Sequence, residues 1–119
     1  MSSVALPVLS PRERHAGGCC EPLVKPSLTY ERATAVAAVA KALGDPTRLR
    51  IVDALRTAAP EAVCQCELVP LFDMSQPGLA KHLKVLVGAG VVSSERRGAW
   101  TYYFIPRDST LEALIAWLT

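Results

Sequence analysis

No run of apolar residues in this chain approaches the roughly 20 that a helix needs to cross a bilayer, which excludes a helical membrane span. The N-terminal VALPVL is short, is broken by Pro7 and has no basic residue before it, so it lacks the pattern of a secretory signal. Both absences predict a cytoplasmic protein with no membrane partner. A CxxC is also missing, and the two histidines, His15 and His82, have no evident catalytic companions. The expectation is a protein that is not an enzyme and uses no organic cofactor. Acidic residues are scarce in one region. Between Ser75 and Trp100 the single carboxylate is Glu95, against Lys81, Lys84, Arg96, Arg97 and the titratable His82. The net charge is only +2, so it is the placement of basic residues, and not their total, that suggests a polyanionic partner.

What is present fits one small domain, with half of the 119 residues apolar. Residues 1 to about 28 contain Pro7, Pro11, Pro22 and Pro26 with Gly17 and Gly18, and read as a flexible tail carrying Cys19 and Cys20. Residues 29–119 read as the folded part. In a reducing compartment the four cysteines do not form a disulfide framework. Their grouping as Cys19, Cys20 and Cys64, Cys66 points to metal or redox chemistry.

From Thr29 to Leu43, the residues Ala33, Val36, Ala37, Ala40 and Leu43 form an alanine-rich stripe suited to close helix packing or a dimer face. Asp45 and Pro46 have the chemistry of a cap and a first helical position, predicting a second helix to about Thr57 that buries Leu49, Val52 and Leu55 or their neighbours. Pro70 is harmless only in a first turn, so a third helix is expected to start near Cys66, with Cys64 just before it. Residues two apart inside a regular helix point about 200° apart, so the two sulfurs can meet only at an irregular start. There the free amides and dipole would favour a thiolate.

The segment MSQPGLAKHLKVL, 74–86, carries the most information. Ser75 can cap it, Pro77 fits its first turn, and Leu79, Leu83 and Leu86 recur at helical spacing. Gln76, Gly78, Lys81, His82 and Lys84 lie off or beside that stripe, giving a donor-rich, positive face suited to the DNA major groove. Strands are expected at Val91–Glu95 and Trp100–Ile105 with Gly98 in the turn, placing Arg96 and Arg97 at a hairpin tip suited to phosphate or minor-groove contact. Ser109 to Glu112 reads as a capping box for a short terminal helix with Leu111, Leu114, Ile115 and Leu118 on one stripe. Its natural partner is the first helix, in the same chain or in a second copy, which predicts a homodimer. The fold class is mainly α with a small β-hairpin: a dimeric winged helix-turn-helix.

Four ordered motifs, ALGDPTRLRI at 42–51, VCQCEL at 63–68, MSQPGLAKHLKVLVGAGVV at 74–92 and RRGAWTYYFI at 96–105, resemble the arsenical-resistance repressor (ArsR/SmtB) family of metal-sensing transcriptional regulators. The resemblance implies a homodimeric repressor that occupies a palindromic operator and leaves it when an ion binds. By carry-over, Ser75, Gln76, Lys81 and His82 would face bases and phosphates, with Arg96 and Arg97 on the wing. VCQCEL is similar to the cysteine-x-cysteine box of the family's arsenite and cadmium/lead sensors, on which Cys64 and Cys66 fall. Cys19 or Cys20 would complete the ligand set. The last helix has no histidine, which removes the family's carboxylate-and-histidine zinc site. Three thiolates suit arsenite or antimonite as inducer, whereas four suit cadmium, lead or zinc. The adjacent Cys19 and Cys20 depart from the spaced tail cysteines of the cadmium/lead sensors and place arsenite or antimonite first. Thiol redox sensing is the other alternative.

Overall fold

The computed structural model describes residues 24–119. The N-terminal segment with Cys19 and Cys20 lies outside the described residues.

Three helix starts follow from capping chemistry, in which a short polar side chain accepts an otherwise unpaired N–H. Helix α1 (Tyr30–Leu43) begins where Thr29 accepts from the Arg32 amide at 3.2 Å. Helix α2 (Pro46–Ala58) begins where Asp45 Oδ2 accepts from the Arg48 amide at 3.0 Å. Further along, α4 (Gln76–Gly88) is capped by Ser75, whose hydroxyl accepts from Gly78 at 3.2 Å, with Pro77 in the first turn. Between them lie strand β1 (Val63–Cys64), the four-residue helix α3 (Gln65–Leu68) and a 3-10 turn over Val69–Leu71. Strands β2 (Ser93–Arg97) and β3 (Trp100–Phe104) and helix α5 (Leu111–Leu118) complete the described chain.

The core gathers Val39 and Ala42 from α1, Ile51, Val52 and Leu55 from α2, and Leu68 from α3. It is completed by Leu79, Leu83 and Leu86 from α4, then Val91, Val92 and Leu111. All three leucines expected inside on α4 are there. Leu49, by contrast, is half exposed and Ile51 takes its place. The two stand about 200° apart on the helix, so only one can face inward. On α1 the buried stripe is Val36, Val39 and Ala42, while Ala37 and Ala40 are exposed. Alanine contributes too little apolar area to set the phase against two valines.

The wing has a strand that the sequence did not announce. Its three strands are antiparallel in the order β1-β3-β2, with Val63 opposite Tyr103 and Cys64 opposite Tyr102. The β2–β3 hairpin pairs Arg97 with Trp100 around Gly98, whose φ of 62° suits glycine. Val91 and Val92, expected to open β2, instead sit fully buried in the exit from α4, both donating to the Leu86 carbonyl.

That exit is tied to α5. The Thr110 amide donates to Gly90 O at 3.0 Å and its hydroxyl to Ala89 O at 2.8 Å. Ser109 Oγ, buried, donates to Val91 O at 2.7 Å and accepts from the Leu111 amide at 3.1 Å. The expected Ser109–Glu112 capping box does not form: the Glu112 amide donates to the Ser109 carbonyl, the Ser109 hydroxyl accepts from Leu111 instead, and its proton secures the Val91 carbonyl in the exit from α4.

Candidate nucleic-acid interface and thiol site

Helix α4 turns its leucines inward and leaves Gln76, Lys81 and Lys84 exposed. Lys81 stands about 200° around the helix from Leu79, opposite the buried stripe. Ser75 is exposed but its oxygen is engaged in capping, so toward a ligand it offers its hydroxyl proton. His82 is only partly exposed. Its Nδ1 lies 3.9 Å from Asp45 Oδ2, the same oxygen that caps α2. The Arg48 amide holds the Asp45 carboxyl below the usual carboxylate range, and His82 contributes in the same direction.

The two wing arginines, expected at the hairpin tip, lie one step back from it at the end of β2, and the tip itself is Gly98–Ala99. Their environments differ. Arg96 Nε donates to Gly98 O at 3.3 Å, leaving the rest of its guanidinium uncommitted among the described residues. Arg97 is held between the Glu95 carboxylate at 3.1 Å and the face of Tyr102, 4.6 Å from the ring centre.

Cys64 and Cys66 meet at the irregular start that their spacing demands. Cys64 is the N-cap of α3, and its Sγ accepts from the Cys66 amide at 3.4 Å. Glu67 completes a capping box by accepting the Cys64 amide at 3.1 Å. Cys64 is buried and Cys66 exposed. The expected thiolate at Cys66 is not favoured. A hydrogen bond with Cys64 pushes the Cys66 thiol up, and desolvation and the nearby Cys64 and Glu67 charges add to it. A helix of four residues sums too little dipole to oppose this, and its third residue is an acid.

The thiols open onto a cavity of about 370 Å³ that Val69, Gln76, Trp100 and Thr101 also line. The reader helix and the wing thus form walls of the same space as the cysteines. Two convergent thiols fit a thiophilic ion in part. Among the described residues no group of three or more His, Cys, Asp or Glu is placed to hold a metal, so further donors must come from elsewhere, and Cys19 and Cys20 lie outside the described residues.

Sequence reasoning missed Glu67, Trp100 and Thr101 beside the thiols, and Asp45 beside His82. For Glu67 a signal existed: CQCE is a capping-box pattern with cysteine in the serine position. The others are brought in by tertiary pairing. Among the described residues no helix is long and apolar enough to cross a membrane.

Comparison with known proteins agrees with this geometry. Residues 45–94 match the family described as "Bacterial regulatory protein, arsR family". An uncharacterized HTH-type transcriptional regulator of Methanocaldococcus jannaschii is 36% identical over 85 residues, spanning 71% of this chain and 90% of that protein. The arsenical resistance operon repressor of Bacillus subtilis is 38% identical over 76 residues, 64% of this chain and 70% of that one. The solved structure of an ArsR-like transcriptional regulator from Rhodococcus sp. RHA1 superposes with a TM-score of 0.61 at 26% identity, covering 74% of this chain and 79% of that one. The winged helix-turn-helix, the reader helix and the extent of these matches place this chain in the ArsR family of transcriptional regulators.

Proposed function

We propose that this regulator is a homodimeric repressor of a palindromic operator, released when arsenite or antimonite is captured by Cys64, Cys66 and a tail thiol, Cys19 or Cys20. One observation carries the reading: the Cys64 and Cys66 thiols share a cavity with Gln76 of the reader helix and Trp100 of the wing. A ligand drawn to those sulfurs enters a space bounded by both DNA-contacting elements. Similarity to a repressor named for arsenical resistance supports the inducer class. So does the adjacency of Cys19 and Cys20, which lets one tail sulfur join Cys64 and Cys66 more readily than two, because trivalent arsenic and antimony bond only three sulfurs, in a pyramid. Cadmium, lead or zinc would need four donors.

On the DNA side, Gln76, Lys81, His82 and Lys84, with the Ser75 hydroxyl, meet bases and phosphates in the major groove, and Arg96 and Arg97 meet the backbone beside it. Two-fold pairing sets half-sites one helical turn apart or a multiple of it. The exposed Ala37 and Ala40 of α1 with Trp117 and Leu118 of α5 give the apolar surface for that pairing. The test is a gel shift on a duplex selected from a random library, titrated separately with arsenite, antimonite, cadmium, lead and zinc. Release by arsenite that vanishes in Cys64→Ser and Cys66→Ser supports the reading. Release by peroxide alone, in chelated buffer, replaces it with thiol redox sensing.

A further inference from the structure

The Asp45 carboxylate does more than start α2. We infer that Asp45 is a positioning residue for DNA binding, holding the His82 ring by its Nδ1 edge so that Nε2 is the atom offered to the phosphodiester backbone of the duplex. The inference rests on the operator reading above and adds to it a residue that lies on neither the reader helix nor the wing.

Three observations carry it. First, the Asp45 Oδ2 that accepts the Arg48 amide at 3.0 Å is also the atom 3.9 Å from His82 Nδ1, so one oxygen of the α2 cap faces the ring on the reader helix, a small ring movement short of hydrogen-bond length. Second, the two side chains are partly enclosed, with relative exposures of 25% for His82 and 34% for Asp45, so the pair is less screened than one on an open surface. Third, the guanidinium of Arg48, the cation nearest in sequence to Asp45, makes no hydrogen bond to the carboxylate. It donates instead to the α1 carbonyls of Ala42 at 2.6 Å and Lys41 at 3.4 Å. With Nδ1 turned toward Asp45, the other ring nitrogen points away from it. A ring fixed at one edge loses less freedom when its other edge binds.

The geometry supplies its own control. Serine, asparagine and aspartate are near-equal N-caps, but serine is too short to reach the ring, whereas asparagine places a carbonyl oxygen where Oδ2 stands. Both replacements remove the same charge, so the change in repulsion of DNA cancels between them. The experiment measures affinity for a duplex selected from a random library by the parent protein, with thermal melts run alongside. Asp45→Ser should bind about 3- to 10-fold more weakly, as for contacting residues of modest coupling, and Asp45→Asn should be rescued to near the parent value. His82→Gln should weaken binding similarly, and in that background Asp45→Ser and Asp45→Asn should bind alike. Equal behaviour of the Ser and Asn variants, an unaffected His82→Gln, or a Ser–Asn difference that persists undiminished without His82 would each overturn this inference alone. A parent protein that selects no duplex would overturn the operator reading and this inference with it.

Discussion

Cys64 serves as a helix cap and as a candidate sulfur ligand, and two substitutions separate those roles. Its Sγ accepts the Cys66 amide while the residue itself is 3% exposed against the core. Cys64→Ala removes the cap, which costs about 1 kcal/mol, and one buried heavy atom worth about another 1 kcal/mol. Cys64→Ser keeps an oxygen that can accept the same amide but exchanges the apolar sulfur for a buried hydroxyl, at about 1 kcal/mol. The expected order of stability is therefore parent, Ser, Ala, with Ala about 1 kcal/mol below Ser, or about 4 °C in melting temperature for a domain of this size. Urea and thermal melts measure the order. An Ala variant as stable as Ser would show that the cap contributes nothing and would refute the account of how α3 starts. In the function assay, both variants should still bind the selected duplex, and both should fail to release it with arsenite. A Ser variant released at the parent's arsenite concentration would remove Cys64 from the ligand set, whatever its stability.

Gly90→Ala should destabilise by about 2–4 kcal/mol, because φ is 76° and the new Cβ would lie 2.8 Å from Thr110 Cγ2; an unchanged melt would refute the tightness of that clamp. Glu95→Gln should free Arg97 from its ion pair, raise duplex affinity severalfold and steepen its salt dependence, as a titration of affinity against salt would record. The inducer should declare itself through protons. The raised Cys66 thiol carries its proton at neutrality, so a divalent cation must displace it and should bind about tenfold tighter per pH unit for each such thiol. Arsenious acid takes thiol protons away as water, three thiols yielding three waters, and its affinity should stay flat between pH 6 and 8. Calorimetry in buffers of different ionisation enthalpy separates the two.

The parts legible in the sequence are those fixed by local chemistry. Asp45, Ser75 and Pro77 act within one helical turn of themselves, so α2 and α4 start as expected, and the leucines of α4 have no rival phase, so that helix also faces as expected. The α1 stripe was less legible because alanines fit inside or outside at little cost. Strand β1 was invisible for another reason. Two residues carry no periodicity, and what makes Val63 and Cys64 a strand is pairing with Tyr103 and Tyr102 far along the chain. The state of Cys66 was not legible, because the sequence does not show how short the helix is that starts there. The dipole depends on helix length and on nearby charge, and α3 is four residues long with Glu67 in its first turn.

That unannounced strand bears on how a thiol ligand would reach DNA. The residue that caps α3 with its sulfur is also a rung of the wing, opposite Tyr102, and the Tyr102 ring is where the Arg97 guanidinium rests. Any ligand that pulls Cys64 and Cys66 into a new arrangement acts on this ladder as well as on α3, and packed elements shift between discrete arrangements instead of deforming smoothly. A signal confined to the reader helix would leave the wing arginine where it was. One carried by the ladder moves Arg97 in the same event, so Tyr102→Leu, which keeps bulk but removes the aromatic face, should bind duplex nearly as well as the parent and respond less to arsenite. If the variant's affinity with and without arsenite differs by the parent's full factor, the ladder plays no part in coupling. Transmission then falls to the short path from Cys66 through Val69 to Gln76 along the wall of the cavity.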